Sequence, residues 1–239
     1  MYLIYDMETP PKEDDMDAEI HRLPMGMCNC YLIKEDGLVL IDAGPPNQAG
    51  KLRTALQKLA IEPKDISLML ITHGHYDHIG SVNKVKAMTG CKVAINHREK
   101  EWVEQALRPI IPGIGVWGTI MAVLMRITTP FVKFPASSVD IELGDDEFPL
   151  QPFGVNGKVL YTPGHTSGSM SLLLDTGEAF VGDLAMNGFP IRIRPGMPIF
   201  GDGRDTIKAS WRLLLDNGAK WIYPAHGNPF SADALRKAL

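Results

Sequence analysis

The run His73-Gly74-His75-Tyr76-Asp77-His78 begins one residue after the strand-like stretch Ser67-Leu68-Met69-Leu70-Ile71, so four metal-binding side chains stand where a strand gives way to a loop. Three more, His165, Asp183 and His226, each stand just after an apolar β-type run. A chain built around these residues must bring four strand ends to one place. Five of the seven histidines belong to this pattern. Imidazole and carboxylate without thiolate suit zinc, manganese or iron. Seven ligands are too many for one tetrahedral ion and fit two ions that share a bridging carboxylate.

The rest of the chain reads as many short strands mixed with helices. Cys30–Ile33 and Leu38–Ile41 flank Glu35-Asp36-Gly37, a hairpin signal because glycine permits the positive φ of a tight turn. A second hairpin is expected from Met170–Leu174 and Ala179–Val181 around Asp175-Thr176-Gly177. Leu52, Leu56 and Leu59 recur at helical spacing within Asn47–Ala60. Further helices are expected over Ser81–Met88 and Thr206–Leu215, and a last one capped by Ser231. Short strands are expected at Lys92–Ile95, Val159–Tyr161 and Trp221–Tyr223, and a polar, acidic arm at residues 6–18. Two halves, each of strands followed by helix, suggest an α/β protein with an αββα sandwich: two mixed β-sheets face to face, flanked by helices. At 239 residues and 45% apolar, the chain suffices for a single domain over residues 1–239.

The motifs His73-x-His75-x-Asp77-His78, Thr162-Pro163-Gly164-His165-Thr166-x-Gly168-Ser169, Val181-Gly182-Asp183 and Pro224-x-His226-Gly227 resemble those of the metallo-β-lactamase fold superfamily, in that family's order. Leu40-Ile41-Asp42-x-Gly44 resembles its first motif. The resemblance runs from about residue 19 to the C-terminus and implies the same αββα fold. By motif, it implies that His73, His75 and His165 bind one metal, that Asp77, His78 and His226 bind a second, and that Asp183 bridges them. It also implies that Asp42 accepts hydrogen bonds that hold the His73–His78 loop, without itself binding metal. The implied cofactor is two divalent ions per chain, Zn2+ first and Mn2+ or Fe2+ as alternatives. The implied chemistry is attack by a metal-bridging hydroxide on a small ester, lactone or thioester, with Asp77 as catalytic proton acceptor.

Departures from the family pattern narrow this reading. The true β-lactamases use a cysteine at the step held here by Asp183. Lactonases of the superfamily share the ligand set, but their tyrosine three residues after the bridging aspartate is replaced by Met186. Only 13 residues follow His226, so the helical extension of glyoxalase II is not expected. A mononuclear iron sulfur (persulfide) dioxygenase of the same fold is the alternative reading, and a phosphodiesterase or nuclease a weaker one. With a net charge of −4 and no basic stripe, no nucleic-acid partner is expected.

Ile110 to Met125 carries no charge and is flanked by Arg108 and Arg126, within an apolar insert at about 108–135. At 16 residues, with Pro112 and three glycines, it falls short of the ~20 needed for a bilayer span. A lid over the metals, a surface joining a homodimer, and a buried helix pair all fit its composition. The lid reading makes Trp117 and Met121 substrate contacts and the small-molecule substrate lipophilic. Arg192 and Arg194 alternate along an extended run and so share one face, a candidate carboxylate-binding pair that Arg204 could join. His21 and His97 lie outside every motif and read as ordinary surface or helix-end residues. Cys28 and Cys30 place both thiols on one side of a strand and, with Cys91, read as packing residues. The odd cysteine count and the lack of a secretory signal pattern at Met1–Asp6 lead to an expected cytoplasmic location.

Overall fold

The computed structural model describes residues 18–188, 192 and 194–239. The acidic arm expected at 6–18 lies almost entirely outside them, as do Phe189, Pro190, Ile191 and Ile193 of the extended run around Arg192. Among the described residues, twelve strands form two mixed six-stranded sheets. The first runs in sequence order: β1 (Glu19–Pro24), β2 (Asn29–Lys34), β3 (Leu38–Ile41), β4 (Ile66–Leu70), β5 (Lys92–Asn96) and β6 (Ile141–Leu143). The second contains β7 (Phe148–Pro149), β8 (Gly157–Tyr161), β9 (Met170–Leu174), β10 (Glu178–Gly182), β11 (Trp221–Pro224) and β12 (Phe230–Ser231), again with sequence neighbours paired. Both expected hairpins are present, as β2–β3 and β9–β10.

Seven α-helices complete the described chain: α1 (Ala49–Lys58), α2 (Tyr76–Ile79), α3 (Val82–Thr89), α4 (Lys100–Glu104), α5 (Gly115–Thr128), α6 (Arg204–Asp216) and α7 (Asp233–Arg236). Ser231 sits in β12 rather than at the helix cap, although its Oγ accepts from Asp233 N at 3.3 Å. Alternation along the strands sorts the apolar residues into layers. Ile33, Val39, Ile41, Leu68 and Leu70 meet Val159, Leu172, Leu174 and Phe180 between the sheets. The opposite face of the first sheet, including Leu32, Leu40 and Met69, packs on Leu52, Leu56, Val82 and Val85 of α1 and α3. The opposite face of the second, including Leu173, Val181 and Ile222, packs on Ile207, Trp211 and Leu214 of α6. Cys28, Cys30 and Cys91 all lie in the α1/α3 layer, and all are free thiols.

Strand direction is what assembles the site. β3 and β4 are parallel, so Asp42 and the His73–His78 loop leave the first sheet at the same edge. β10 and β11 are parallel, and β8 shares their direction through its two antiparallel pairings by way of β9. The segments carrying His165, Asp183 and His226 therefore leave the second sheet together. Met170 N donates to Thr72 O at 2.8 Å and joins the two edges. Gly182 (φ +52°) lies so close to Thr72 that a Cβ there would sit 2.5 Å from its Oγ1.

The insert is not a buried helix pair. α5 buries only Gly118 and Ala122 and turns most of its apolar side chains outward. No helix among the described residues is long and apolar enough to cross a membrane.

Trp211 anchors the turn that carries Asp183: its indole N–H donates to Leu184 O at 3.0 Å, and the ring is fully buried. Replacing it by phenylalanine leaves that buried carbonyl unpaired and should lower unfolding free energy by about 1–3 kcal/mol in a urea titration. An unchanged midpoint would remove the anchoring role.

Candidate metal centre

Each inward-facing histidine is aimed by a contact on its far side. His78 Nδ1 lies 2.8 Å from Asp42 Oδ2, His165 Nδ1 lies 3.0 Å from Phe200 O, and His226 Nδ1 lies 2.9 Å from Met27 O. A carbonyl oxygen only accepts, so these contacts place a hydrogen on Nδ1 of His165 and His226. A neutral ring then presents the Nε2 lone pair to the interior. His73 Nδ1 is held 3.1 Å from Thr72 Oγ1. His75 is reversed: it turns Nδ1 inward and lies parallel to the Trp102 ring, with centroids 6.4 Å apart. Asp42 is buried, and besides His78 it accepts from Thr72 N at 2.8 Å.

The inward atoms form two adjoining groups, His73–His75–His165–Asp183 and Asp77–His78–His226. In the first, the three imidazole nitrogens are 3.1–3.2 Å apart, and Asp183 Oδ2 lies 3.5 Å from His165 Nε2. A tetrahedral zinc with bonds of about 2.0–2.1 Å has ligand–ligand edges of about 3.3 Å. In the second, His226 Nε2 lies 3.4 Å from Asp77 Oδ2 and 3.3 Å from Asp183 Oδ1. His78 Nε2 and Asp183 Oδ1 are buried without a hydrogen-bond partner. Buried polar atoms are rarely left so. Orphaned polar atoms, near-tetrahedral spacing in the first group and N/O chemistry fit the binding of divalent metal at this cluster.

The electrostatics of the two groups differ. Burial, reinforced by neighbouring histidines, holds His73 well below the usual imidazole range and His75 at about 3, and burial also lowers His165. Burial opposes the charged form of His78 and His226 too, but the surrounding carboxylates outweigh it and raise both. Burial alone would raise Asp77; the adjacent His78 and His226 overcome it and hold the carboxyl at about 2.

Glu99 belongs to the site although its sequence context, His97-Arg98-Glu99-Lys100-Glu101, looks like ordinary surface charge. It is fully buried. One carboxylate oxygen accepts from Gly74 N at 2.5 Å and the other from Gly168 N at 3.0 Å, tying the His73–His78 loop to the His165 loop. No sequence pattern marks it, because its partners are backbone groups.

Other residues singled out in the sequence have partners of their own or lie on α5. Arg192 turns its guanidinium back onto Arg194 O (2.7 Å) and Met197 O (3.0 Å). Trp117 is exposed on α5 and Met121 is half-buried there. Met186 is buried and exchanges two backbone hydrogen bonds with Gly196. His97 contacts Leu143 O, and His21 pairs with Glu19; neither joins the two groups.

Two mixed sheets between helices, with clustered histidine and aspartate at one shared edge, define a metal-binding αββα protein. The family model for the metallo-beta-lactamase superfamily matches residues 23–226, and the chain belongs to that superfamily. An uncharacterized protein of Mycobacterium leprae is 30% identical over 223 residues, covering 90% of this chain and 94% of that one. The probable metallo-hydrolase YflN of Bacillus subtilis is 30% identical over 171 residues, 68% of this chain and 62% of the relative. Among solved structures, BLEG-1 B3 metallo-beta-lactamase superposes with a TM-score of 0.66 at 22% identity, covering 91% of this chain and 96% of its own. A metallo-beta-lactamase family protein from Thermus thermophilus superposes with a TM-score of 0.64 at 18% identity, covering 92% of this chain and 77% of its own. At these identities the structural likeness speaks for the fold.

The geometry makes Glu99 and the pH response of the two groups testable. Glu99→Ala strands two buried N–H groups, each worth about 1–3 kcal/mol. Zinc affinity measured by chelator competition should fall about 10–100-fold, as is typical when a ligand's supporting contact is lost; unchanged affinity would make Glu99 a bystander. For pH, a cation entering beside His78 and His226 displaces protons that those rings hold more tightly than usual, whereas His73, His75 and His165 are already neutral near pH 7. Zinc uptake by the Asp77 group should therefore weaken more steeply than uptake by the His73 group between about pH 8 and about pH 6. Equal slopes in the two binding steps would contradict this.

Proposed function

We propose that the chain is a dinuclear metal-dependent hydrolase acting on a small ester, lactone or thioester. The observation that carries this reading is the placement of Asp183, whose Oδ2 faces the His73 group and whose Oδ1 faces the Asp77 group. A single carboxylate with one oxygen toward each group suits a bridge between two ions. The relatives named as metallo-hydrolases support the same class. Two divalent ions held there would lower the pKa of a water molecule and polarise the scissile carbonyl.

The side chains have separable tasks. His73, His75 and His165 offer three neutral nitrogens to one ion; His78, His226 and Asp77 serve the other. Asp77 is the most accessible of the seven, with its side chain 14% exposed against 6% for Asp183. It is ionised throughout the neutral range. A carboxylate at the solvent side of the site is placed to accept the proton released as water is activated and to hand it to the leaving oxygen or sulfur. With Met186 in the lactonase tyrosine position, no hydroxyl assists there, so leaving-group protonation falls to Asp77.

The Asp77 group offers three convergent side chains to a second ion, and the number of ions bound separates the hydrolase from the one-iron dioxygenase. Metal analysis by mass spectrometry, on protein as isolated and after reconstitution, should give two zinc or manganese ions per chain. Asp183→Ala should reduce this to one or none and abolish turnover of ester, lactone and thioester panels. One iron per chain, with oxygen uptake on a persulfide, would replace the hydrolase with the dioxygenase.

A further inference from the structure

α5 is anchored to the body by its narrow side and leaves its broad side bare. Ile114 N donates to Ile199 O at 2.7 Å, and Gly201 N donates to Pro112 O at 3.0 Å. Gly118 lies so close to the same Ile199 carbonyl that a Cβ there would stand 2.0 Å from it. Val116, Ile120, Val123 and Ile127 point away, at 81, 55, 53 and 64% exposure, beside exposed Trp117, Leu124 and Phe131. Seven such side chains make a patch on the order of 700 Å². Monomers rarely expose a contiguous apolar patch of more than a few hundred Å². A standard protein–protein interface buries about 800 Å² per partner.

The spacing identifies the occupant. At 100° per residue, Val116, Ile120, Val123 and Ile127 fall within an arc of about 60°. Their intervals are four, three and four, a sequence that reads the same in both directions. Two copies of α5 crossing antiparallel about a two-fold axis between Met121 and Ala122 match this row to itself. Ile120 then meets the partner's Val123, Val116 meets the partner's Ile127, and Trp117 comes beside the partner's Arg126. An isologous contact requires this kind of self-complementarity; a lipid surface does not. The antiparallel arrangement also opposes the two helix dipoles, and no charge lies within the row.

We infer that the outer face of α5 is the interface of a homodimer, formed by antiparallel pairing of α5 with a second copy of this chain. The inference does not depend on the hydrolase reading. Its consequence reaches the metal centre, because α5 is rooted on Ile199-Phe200-Gly201, and Phe200 O is the acceptor that aims His165.

The test is sedimentation velocity on the full chain at about 1–100 μM. A particle of twice 26.3 kDa is expected. Ile120→Glu and Val123→Glu alter exposed positions, so both variants should keep the parent's far-UV circular dichroism while the dimer dissociation constant rises about 100-fold or more. Leu213→Glu, at an exposed apolar position on α6, should leave the dimer intact. The register has its own readout: chains carrying Ile120→Cys mixed with chains carrying Val123→Cys should cross-link on mild oxidation, and Val116→Cys chains should not cross-link with each other. A 26.3 kDa particle at every concentration overturns the inference, as does a dimer indifferent to both glutamates. So does a monomer that sediments with anionic vesicles and is released by those same substitutions, which would assign the face to a membrane surface.

Discussion

Seven polar side chains that would each choose water are instead gathered in one buried place, and contacts on the outer sides of the five histidines hold those rings there. Asp42 turns His78, Phe200 O turns His165 and Met27 O turns His226, each by capturing Nδ1. With that nitrogen occupied, Nε2 has nowhere to point but inward, toward other lone pairs. Where imidazoles face one another the arrangement is repulsive by itself, and where they face Asp77 and Asp183 it holds protons that an entering cation would displace. The fold supplies the rigidity that keeps the groups from swinging away: parallel strands β3 and β4 in one sheet, β10 and β11 in the other, and the Thr72–Met170 hydrogen bond across the seam.

The two groups are chemically unequal, and the inequality comes from charge rather than from burial. Burial pushes His73 and His75 toward neutrality, and the imidazoles around them add to it. Imidazoles facing Asp77 and Asp183 are pulled the other way, as at His226 and, with Asp42 added, at His78. Asp183 joins the two environments. The same division separates a group ready for a cation from one that must first release protons. Around both runs a supporting layer dominated by backbone groups, of which Glu99 is the clearest member, since its carboxylate ties two ligand loops through main-chain N–H groups.

The apolar insert shows a different balance. A helix with a broad apolar face is costly in water unless something covers that face. α5 meets its own chain through Gly118 and Ala122, the residues with least to bury, and keeps its large side chains outward. Its attachment through Pro112 and Ile114 to Ile199 and Gly201 ties α5 to the segment whose Phe200 carbonyl contacts His165.

The many short strands, both hairpins, the main helices and the seven candidate metal ligands are legible in the order of residues. Each depends on local signals: alternation, helical spacing, turn glycines, and histidines placed just after apolar runs; the division of the seven ligands into two groups rests on the resemblance of their motifs to a known family. Tertiary structure alone decided the roles of Glu99, Met27 O, Phe200 O and Trp102, because backbone carbonyls and amides carry no mark in sequence and their partners lie far along the chain. It also decided whether the insert is buried, since composition reports that a helix is apolar but not which face meets the body. Sequence determined which chemistry the chain brings together; the direction of its strands determined where that chemistry meets.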